Sequence, residues 1–405
     1  MRNGVVVLLA LGTLAGCTAN GPLAPASTPT ARHTSSPSAS PSPAETPTPS
    51  PSPTPSPEPS PVAVPAWAAM HAGCVAPATA QEAVIQLQGA SNPVLADVSN
   101  PKSPQTICGI SGGSFQPELV TQTMISWFAT QGSPGTQGTS VIAVLDLFSG
   151  TSTIAATWSG GGFMDGLHAW SPDRGFLAYV ASDAGGVNLH LLSGGGDRVV
   201  AQLGPVPARG FNPNEDDAYL AFSPDGAYFA LVQTLTSSGD QLQVRRTFDG
   251  SLAFSLARGT MATWGSTGSQ LYYRLPGSGL IQVWDSAAGV SQAFGQQLLW
   301  IRPRADAGGD NLAFTVRDSS GTPHVWLYGH SGRSGGPLPN VRSSPVWLNA
   351  TTIYYVEEAA CLTNCGTGPA WQPDGKTFTY DIAAGAETAS HITTVYGAWP
   401  RPGQT

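Results

Sequence analysis

Two stretches of this chain are one unit written twice: His168-Ala-Trp-Ser-Pro-Asp-Arg-Gly175 and Leu220-Ala-Phe-Ser-Pro-Asp-Gly226, with Thr263-Trp-Gly-Ser-Thr-Gly268 as a degenerate third copy. Each precedes an apolar, β-rich run. The chemistry is that of a hairpin. Pro presets φ at the second turn position, Ser or Asp bonds the turn's own backbone, and Gly takes the positive φ before the next strand. The aromatic ahead of the turn belongs at the buried end of the incoming strand. Similar runs, Val141 to Leu147, Phe176 to Val180, Tyr228 to Val232, Leu271 to Tyr273 and Ile353 to Val356, sit between clusters of Gly, Asp, Ser and Pro. No window of helical length keeps a 3.6-residue period, so the expectation is an all-β fold of repeated antiparallel units.

A second form of the unit, Pro345 to Tyr355, aligns without a gap on Pro117 to Trp127. On these residues the chain resembles the TolB-like, WD-repeat-like β-propellers, whose blades carry an aromatic-Ser-Pro-Asp-Gly turn between their first two strands. The resemblance implies four-stranded blades over most of residues 80 to 400, and it carries architecture rather than activity. The residues Leu119, Trp170, Phe222, Trp264, Trp300, Trp347 and Trp399 then mark innermost strands. Seven blades are expected, with six as the alternative. The last marker lies in Val395 to Trp399, after which no strands follow. Conversely, Ala83 to Leu87, Val94 to Val98 and Thr106 to Ile110 precede the first marker. Joining the two makes the C-terminal strand complete the N-terminal blade and close the ring, which removes open sheet edges. Hairpins of the Asp-x-x-x-Gly kind are read at Asp146 to Gly150, Phe248-Asp-Gly250 and Asp285 to Gly289. Trp371-Gln-Pro-Asp-Gly375 repeats the turn motif out of register and is read as the hairpin leading into a third strand, Thr377 to Ile382.

Residues 1–65 contain no Trp, Tyr or Phe, so only the chain from 66 onward can build a core. Met1-Arg2-Asn3 and the apolar stretch Val5 to Leu14 form a leader too short for a bilayer core of about 30 Å. Leu14-Ala15-Gly16-Cys17 resembles the bacterial lipobox. That resemblance implies a signal peptide over 1–16, cleaved ahead of Cys17, and a diacylglyceryl thioether on the Cys17 sulfur. Residues 17–65 are the lipidated Cys and a Pro/Ser/Thr-rich linker with no apolar face to bury. Polyproline II extends at roughly 3.1 Å per residue, which makes this a long tether. Residues 66–405 are the propeller. The protein is expected to be exported and held to the outer face of the cell membrane by lipid alone.

Four cysteines remain after Cys17. An even number in an oxidising setting suggests disulfides, and blade order suggests the pairs Cys74 with Cys108 and Cys361 with Cys365. Zinc wants four ligands, and no other Cys or His stands near 361–365. Gly109 to Gly113 and Gly332 to Gly336 match G-x-S-x-G, but neither is followed by the helix that a nucleophile elbow needs. Prolyl-oligopeptidase-like enzymes pair a propeller with a domain of that kind, which this chain is expected to lack. Ser171 to Gly175 approaches the sialidase Asp-box, yet Phe176-Leu177 replaces its Thr-Trp end and no arginine triad is identifiable. Glu215-Asp216-Asp217, with Asn212 and Asn214, offers hard oxygens without the spaced order of a calcium loop and is read as solvated. The seven His form no metal pair, and His168 is assigned to blade packing.

Charged residues are 10% of the chain and the net charge is -8, which gives no counterion-release footprint for nucleic acid. The expectation is therefore a monomeric, non-enzymatic platform without metal or cofactor that binds a protein, peptide or glycan. The alternative is an extracytoplasmic hydrolase or lyase with its site in the central funnel.

Overall fold

The computed structural model describes residues 62–399, except 75–82, 89–91, 113–117, 122, 132–137, 161–166, 184–185, 205–218, 237–238, 258–259, 266–269, 276–280, 295–303, 306–310, 330–336, 350, 362–370 and 394. Cys17, Cys365, Trp300, the 212–217 loop and the Gly332 to Gly336 motif lie outside the described residues. Every regular element described is a strand.

The first sheet holds β1 (Met70–Cys74), β2 (Ala83–Gln88), β3 (Asn92–Asp97) and β4 (Gln105–Gly112). The second holds β5 (Glu118–Thr121), β6 (Met124–Gln131), β7 (Thr139–Asp146) and β8 (Ser152–Ser159). The third holds β9 (His168–Trp170), β10 (Phe176–Asp183), β11 (Gly186–Ser193) and β12 (Gly196–Gly204). The fourth holds β13 (Tyr219–Phe222), β14 (Tyr228–Thr236), β15 (Gly239–Arg246) and β16 (Leu252–Ala257). The fifth holds β17 (Thr260–Trp264), β18 (Gln270–Arg274), β19 (Ile281–Asp285) and β20 (Gly289–Phe294). The sixth holds β21 (Arg304–Ala305), β22 (Asn311–Arg317) and β23 (Pro323–Gly329). The seventh holds β24 (Arg342–Trp347), β25 (Thr352–Ala360), β26 (Trp371–Asp381) and β27 (Ala386–Ser390). The last strand, β28 (Val395–Trp399), joins the first sheet, whose order is β1-β4-β3-β2-β28. The other six sheets are simple antiparallel meanders.

Side-chain alternation explains why these sheets stand face to face. Along β10, Leu177, Tyr179 and Ala181 pack with Ile142 and Ala156 of the second sheet, while Ala178 and Val180 pack with Leu220, Phe229 and Leu231 of the fourth. Along β14, Phe229 and Leu231 look back to the third sheet, and Ala230 and Val232 meet Ala262, Trp264 and Leu271 of the fifth. A strand buried on both faces has to be apolar at every position, which is why these segments read as continuous apolar runs. The same division holds at the seventh sheet. Ile353 and Tyr355 pack with Ala313 and Val325 of the sixth, and Tyr354 packs with Ala96 and Val98 of the first. The apolar layers thus lie between neighbouring sheets, and the arrangement returns to its start: this is a β-propeller.

The first strands run around its inside. β9 lies against β13, β13 against β17, β17 against β21, β21 against β24, β24 against β28 and β28 against β5. β28 is hydrogen-bonded to β2, with Ala83 opposite Trp399 and Gln86 opposite Val395. The chain's last strand is therefore the inner strand of the sheet that its early residues build.

The sixth sheet shows three strands among the described residues. Two expectations need correction. The first sheet has five strands, because β1 adds outside β4 in the register Cys74 opposite Cys108. Met70-His-Ala-Gly-Cys74 has no β-branched residue to announce a strand. Burial of Ala68 and Met70 and the bond from Trp127 Nε1 to Ala68 O hold it in place. Finally, Trp371 to Gly375 is no hairpin. It is the start of β26, paired with Glu358 to Ala360, and a bulge beside Val356 with Gly375 at φ +87° takes up the turn-like sequence. A bulge is one of the few places where a sheet accepts Pro, here Pro373.

Candidate functional site

In a meander, the turns between first and second strands and those between third and fourth strands emerge at the same end of the ring. In the third and fourth sheets the first kind of turn is built alike. Ser171 Oγ donates to Asp173 Oδ1 at 2.6 Å and accepts from Phe176 N at 2.9 Å; Ser223 Oγ donates to Asp225 Oδ1 and accepts from Tyr228 N at 3.0 Å. Ser and Asp therefore act as one unit. The Ser171 hydroxyl, together with Gly175 N, holds the Asp173 carboxyl below its usual range. The left-handed residue differs from the expectation for one copy. Gly226 takes φ +70°, but its counterpart is Arg174 at φ +62°, and Gly175 follows it. Arg174 reaches across to the second sheet, where its Nη1 lies 3.3 Å from Met124 Sδ. With Val120, Met124, Val144, Trp170 and Asp173 it lines a cavity of about 400 Å³.

The second kind of turn shows a common design in the second, fifth and seventh sheets. Asp146, Asp285 and Asp381 each accept backbone N–H bonds from residues two or three positions on, and Gly150, Gly289 and Gly385 close the turn at positive φ. Aligned on Gly250, the fourth sheet has Arg246 where the others have Asp, so the Phe248-Asp-Gly250 reading was one of composition rather than register. Phe148 and Phe248 occupy the same position in their turns. Phe248 is 85% exposed. The hairpin beneath it is rigidly held. Arg198 Nη2 donates to Phe248 O at 2.6 Å, Gly250 N to Arg246 O at 2.8 Å, and Arg245 Nη1 to both Gly250 O and Val200 O. Gly250 is required twice over: its φ is +70°, and a Cβ there would stand 2.3 Å from Val200 Cγ1. Val199 on β12 and Leu252 on β16 add exposed apolar surface on either side.

Between the second and third sheets runs a stack of rings, Phe128, Trp158, Tyr179 and His190, with centroids 5.8, 5.3 and 4.7 Å apart. It ends on Asp197 Oδ2, which lies 2.7 Å from Tyr179 Oη and 3.0 Å from His190 Nδ1. A carboxylate only accepts, so the phenol and Nδ1 are the donors. Burial pushes the Tyr179 phenol well up, and the neighbouring carboxylate adds to this. Burial also raises Asp197, but the bonds from His190 and Tyr179 outweigh it and hold the carboxyl low. His190 Nε2 has no hydrogen-bond partner among the described residues.

A second polar cluster crosses the seventh sheet. Arg342, 3% exposed, gives Nε and Nη2 to the two oxygens of Glu387 at 3.1 and 2.9 Å and Nη1 to Glu357, and its guanidinium lies 3.9 Å from the centre of the Phe378 ring. Tyr355 Oη donates to Glu387 at 2.7 Å and Lys376 Nζ to Glu357 at 2.6 Å. Every charge here is answered, which is the chemistry of a strap joining β24, β25, β26 and β27.

Of the residues singled out by sequence, Cys74 and Cys108 are disulfide-bonded to each other, and Cys361 is disulfide-bonded at the end of β25. Ser111 of the Gly109 motif is an exposed strand residue opposite His71, not an elbow. His168 is buried and shares a 2.8 Å hydrogen bond with Ser126. Among the described residues no three His, Cys, Asp or Glu gather as a metal set. The His190 and Asp197 pair and the exposure of the Phe248 ring escaped sequence reading, although the Phe248 hairpin itself was read. The first pair is brought together across two strands. The second had a signal available, an aromatic at the centre of a turn.

No protein-family model matches this sequence, and no curated protein matches it. Solved structures do. The chain is similar to a prolyl endopeptidase studied for the role of inter-domain dynamics in catalysis and specificity, with a TM-score of 0.51 and 12% identity over 81% of this chain and 50% of that one. Prolyl oligopeptidase B from Galerina marginata, bound to a 25mer macrocyclization substrate, gives a TM-score of 0.51 and 13% identity over 80% and 51%. TolB from Acinetobacter baumannii gives 0.39 and 14% over 78% and 81%. The chain spans about half the length of the two peptidases. At such identities the likeness is one of fold.

Proposed function

We propose that this protein is a lipid-anchored, extracytoplasmic binding platform: a TolB-like propeller of seven blades, one per sheet, that engages a protein, peptide or glycan through the end of the ring bearing Phe248. The observation that carries the reading is the exposed Phe248 on a hairpin fixed by Arg198 and Arg245. Large exposed aromatics on rigid supports bind at low entropic cost and are frequent anchors of interfaces. The arginines support it further. In a chain of net charge -8 with only 17 Lys and Arg, Arg198, Arg245 and Arg246 gather at this one hairpin. Anchoring rests on Leu14-Ala15-Gly16-Cys17, with Cys17 carrying the lipid and residues 18–65 as spacer. The Cys74 to Cys108 disulfide suits an oxidising compartment. The net negative charge argues against nucleic acid as partner.

A photo-crosslinking residue placed at 248 and, as a control, at the exposed Val290 of the fifth sheet tests the reading in cells of the natural host. A discrete adduct from position 248 and none from 290 supports it. Equal adducts, or none from either, sink it. Anchoring is tested separately: Cys17→Ala should leave the precursor uncleaved or release the protein, and unchanged membrane retention with normal processing would refute it.

A second reading, an extracytoplasmic hydrolase or lyase, has one observation behind it. His190, bonded at Nδ1 to Asp197, has the orientation of an imidazole held as a general base. The pair lies on the third and fourth strands of its sheet, away from the inner strands and from any funnel.

A further inference from the structure

The cavity lined by Arg174 lies between the second and third sheets, at the same end of the ring as Phe248 but separate from it. Its walls are apolar: Val120, Met124, Val144 and the Trp170 ring. At about 400 Å³ it is of a size that takes small ligands. One polar group at its margin is uncommitted. Arg174 makes no ion pair among the described residues, its guanidinium contact being the weak thioether acceptor of Met124. The Trp170 indole N–H is buried and has no hydrogen-bond partner among the described residues, and a group of that kind calls for an explanation. Asp173, the remaining lining residue, accepts from Ser171 and Gly175 through Oδ1.

The backbone at Arg174 sharpens the argument. The corresponding turn position in the next sheet is Gly226, and both residues adopt positive φ. Glycine holds that conformation without strain, whereas an L-residue with a long side chain does not. A guanidinium therefore sits on a strained backbone at the mouth of a cavity when the fold itself is served by glycine. Strain of this sort gathers at ligand sites.

We propose that this cavity binds an aliphatic carboxylate, with the carboxylate on the Arg174 guanidinium and the aliphatic body against Val120, Val144 and Trp170. The same chemistry is offered by a free branched-chain acid and by the C-terminus of a peptide ending in an aliphatic residue. A guanidinium suits either because its planar fork meets both carboxylate oxygens.

The test uses the full chain and four probes: 4-methylpentanoate, its amide, N-acetyl-Ala-Ala-Leu, and that peptide's C-terminal amide. Binding is read by calorimetry and by the indole N–H resonances of 15N-Trp-labelled protein, the Trp170 signal being assigned with Trp170→Phe. Either acid should bind and move the Trp170 resonance, and its amide should bind at least tenfold more weakly. Binding of the free acid alone assigns the site to small molecules, and binding of the peptide alone assigns it to chain termini. Arg174→Gly should weaken acid binding about ten- to hundredfold, the range expected for one charged hydrogen-bonding partner, while raising the thermal midpoint. Arg174→Gln, which keeps the backbone conformation and removes the charge, should lose binding equally. Amides that match the acids, Arg174 variants that bind as well as the parent, or no binding of either acid would overturn the proposal.

Discussion

Trp399 stands directly opposite Ala83 in one antiparallel ladder. The pairing spans nearly the whole described chain, and through it β28 covers the inner edge of β2.

Removing residues 393–405 should strip β28 from β2 and leave those backbone groups of Ala83 to Gln86 that face it without partners. Unmet buried backbone groups cost about 1–3 kcal/mol each, so the thermal midpoint should fall by many degrees. Removing 403–405 should leave it unchanged. Equal midpoints for the two truncations, measured by calorimetry, would show that closure does not depend on β28.

Cys74 and Cys108 are cross-strand partners bonded through sulfur, 34 residues apart in sequence. A crosslink over a loop of that length stabilises by about 2–4 kcal/mol. Replacing both with Ser should lower the urea midpoint by a corresponding amount and free β1 first. Protease should then cut near residues 62–74 well before the ring unfolds, and cleavage spread evenly over the chain would contradict this.

The turn serines give a matched pair. Ser171→Ala and Ser223→Ala each remove a hydroxyl that accepts from the strand behind it and donates to an Asp. Each should cost about 1–2 kcal/mol in chemical denaturation. Thr→Ala at the exposed Thr151 is the control and should cost little.

Acid should act through the seventh sheet. Burial alone would raise Glu387, but its bonds to Arg342 and Tyr355 hold the carboxyl below its ordinary value of 4.5. A depressed folded pKa means stability that is complete above the unfolded value and is lost as pH falls through the folded one. Stability should therefore decline below about pH 4.5. Glu387→Gln should be destabilised at pH 7, because Arg342 stays buried with a weaker partner, and should show a shallower acid slope. An unchanged slope would remove Glu387 from the account.

How much of this was legible beforehand depended on range along the chain. Ser171, Pro172 and Asp173 act within one turn, and their sequence disclosed both the turn and the strand after it. Val395 to Trp399 was legible as a strand in want of a sheet, since three strand-like runs at the other end were short of a fourth. Arg174 was misread because position in a turn is set by φ rather than by which residue is glycine. Trp371 to Gly375 copied the turn motif, but its partners on β25 forced it into a bulge. His190 and Asp197 are seven residues apart, and only the hairpin between β11 and β12 brings them onto the same oxygen-bearing face. Sequence spacing carries no mark of that meeting.

The disulfide in the first sheet has a mechanical consequence. Tension entering through residue 62 meets β1, an edge strand that could be peeled from β4 one hydrogen bond at a time. The peel starts at Met70, opposite Gly112, and advances toward Cys74. There the covalent link to Cys108 stops it and hands the load to the interior of β4, which its pairing with β3 holds in shear. Under force the protein should therefore yield in two stages, a short extension as β1 detaches and then a plateau while the ring remains shut. With the sulfurs reduced, the same pull has no such stop.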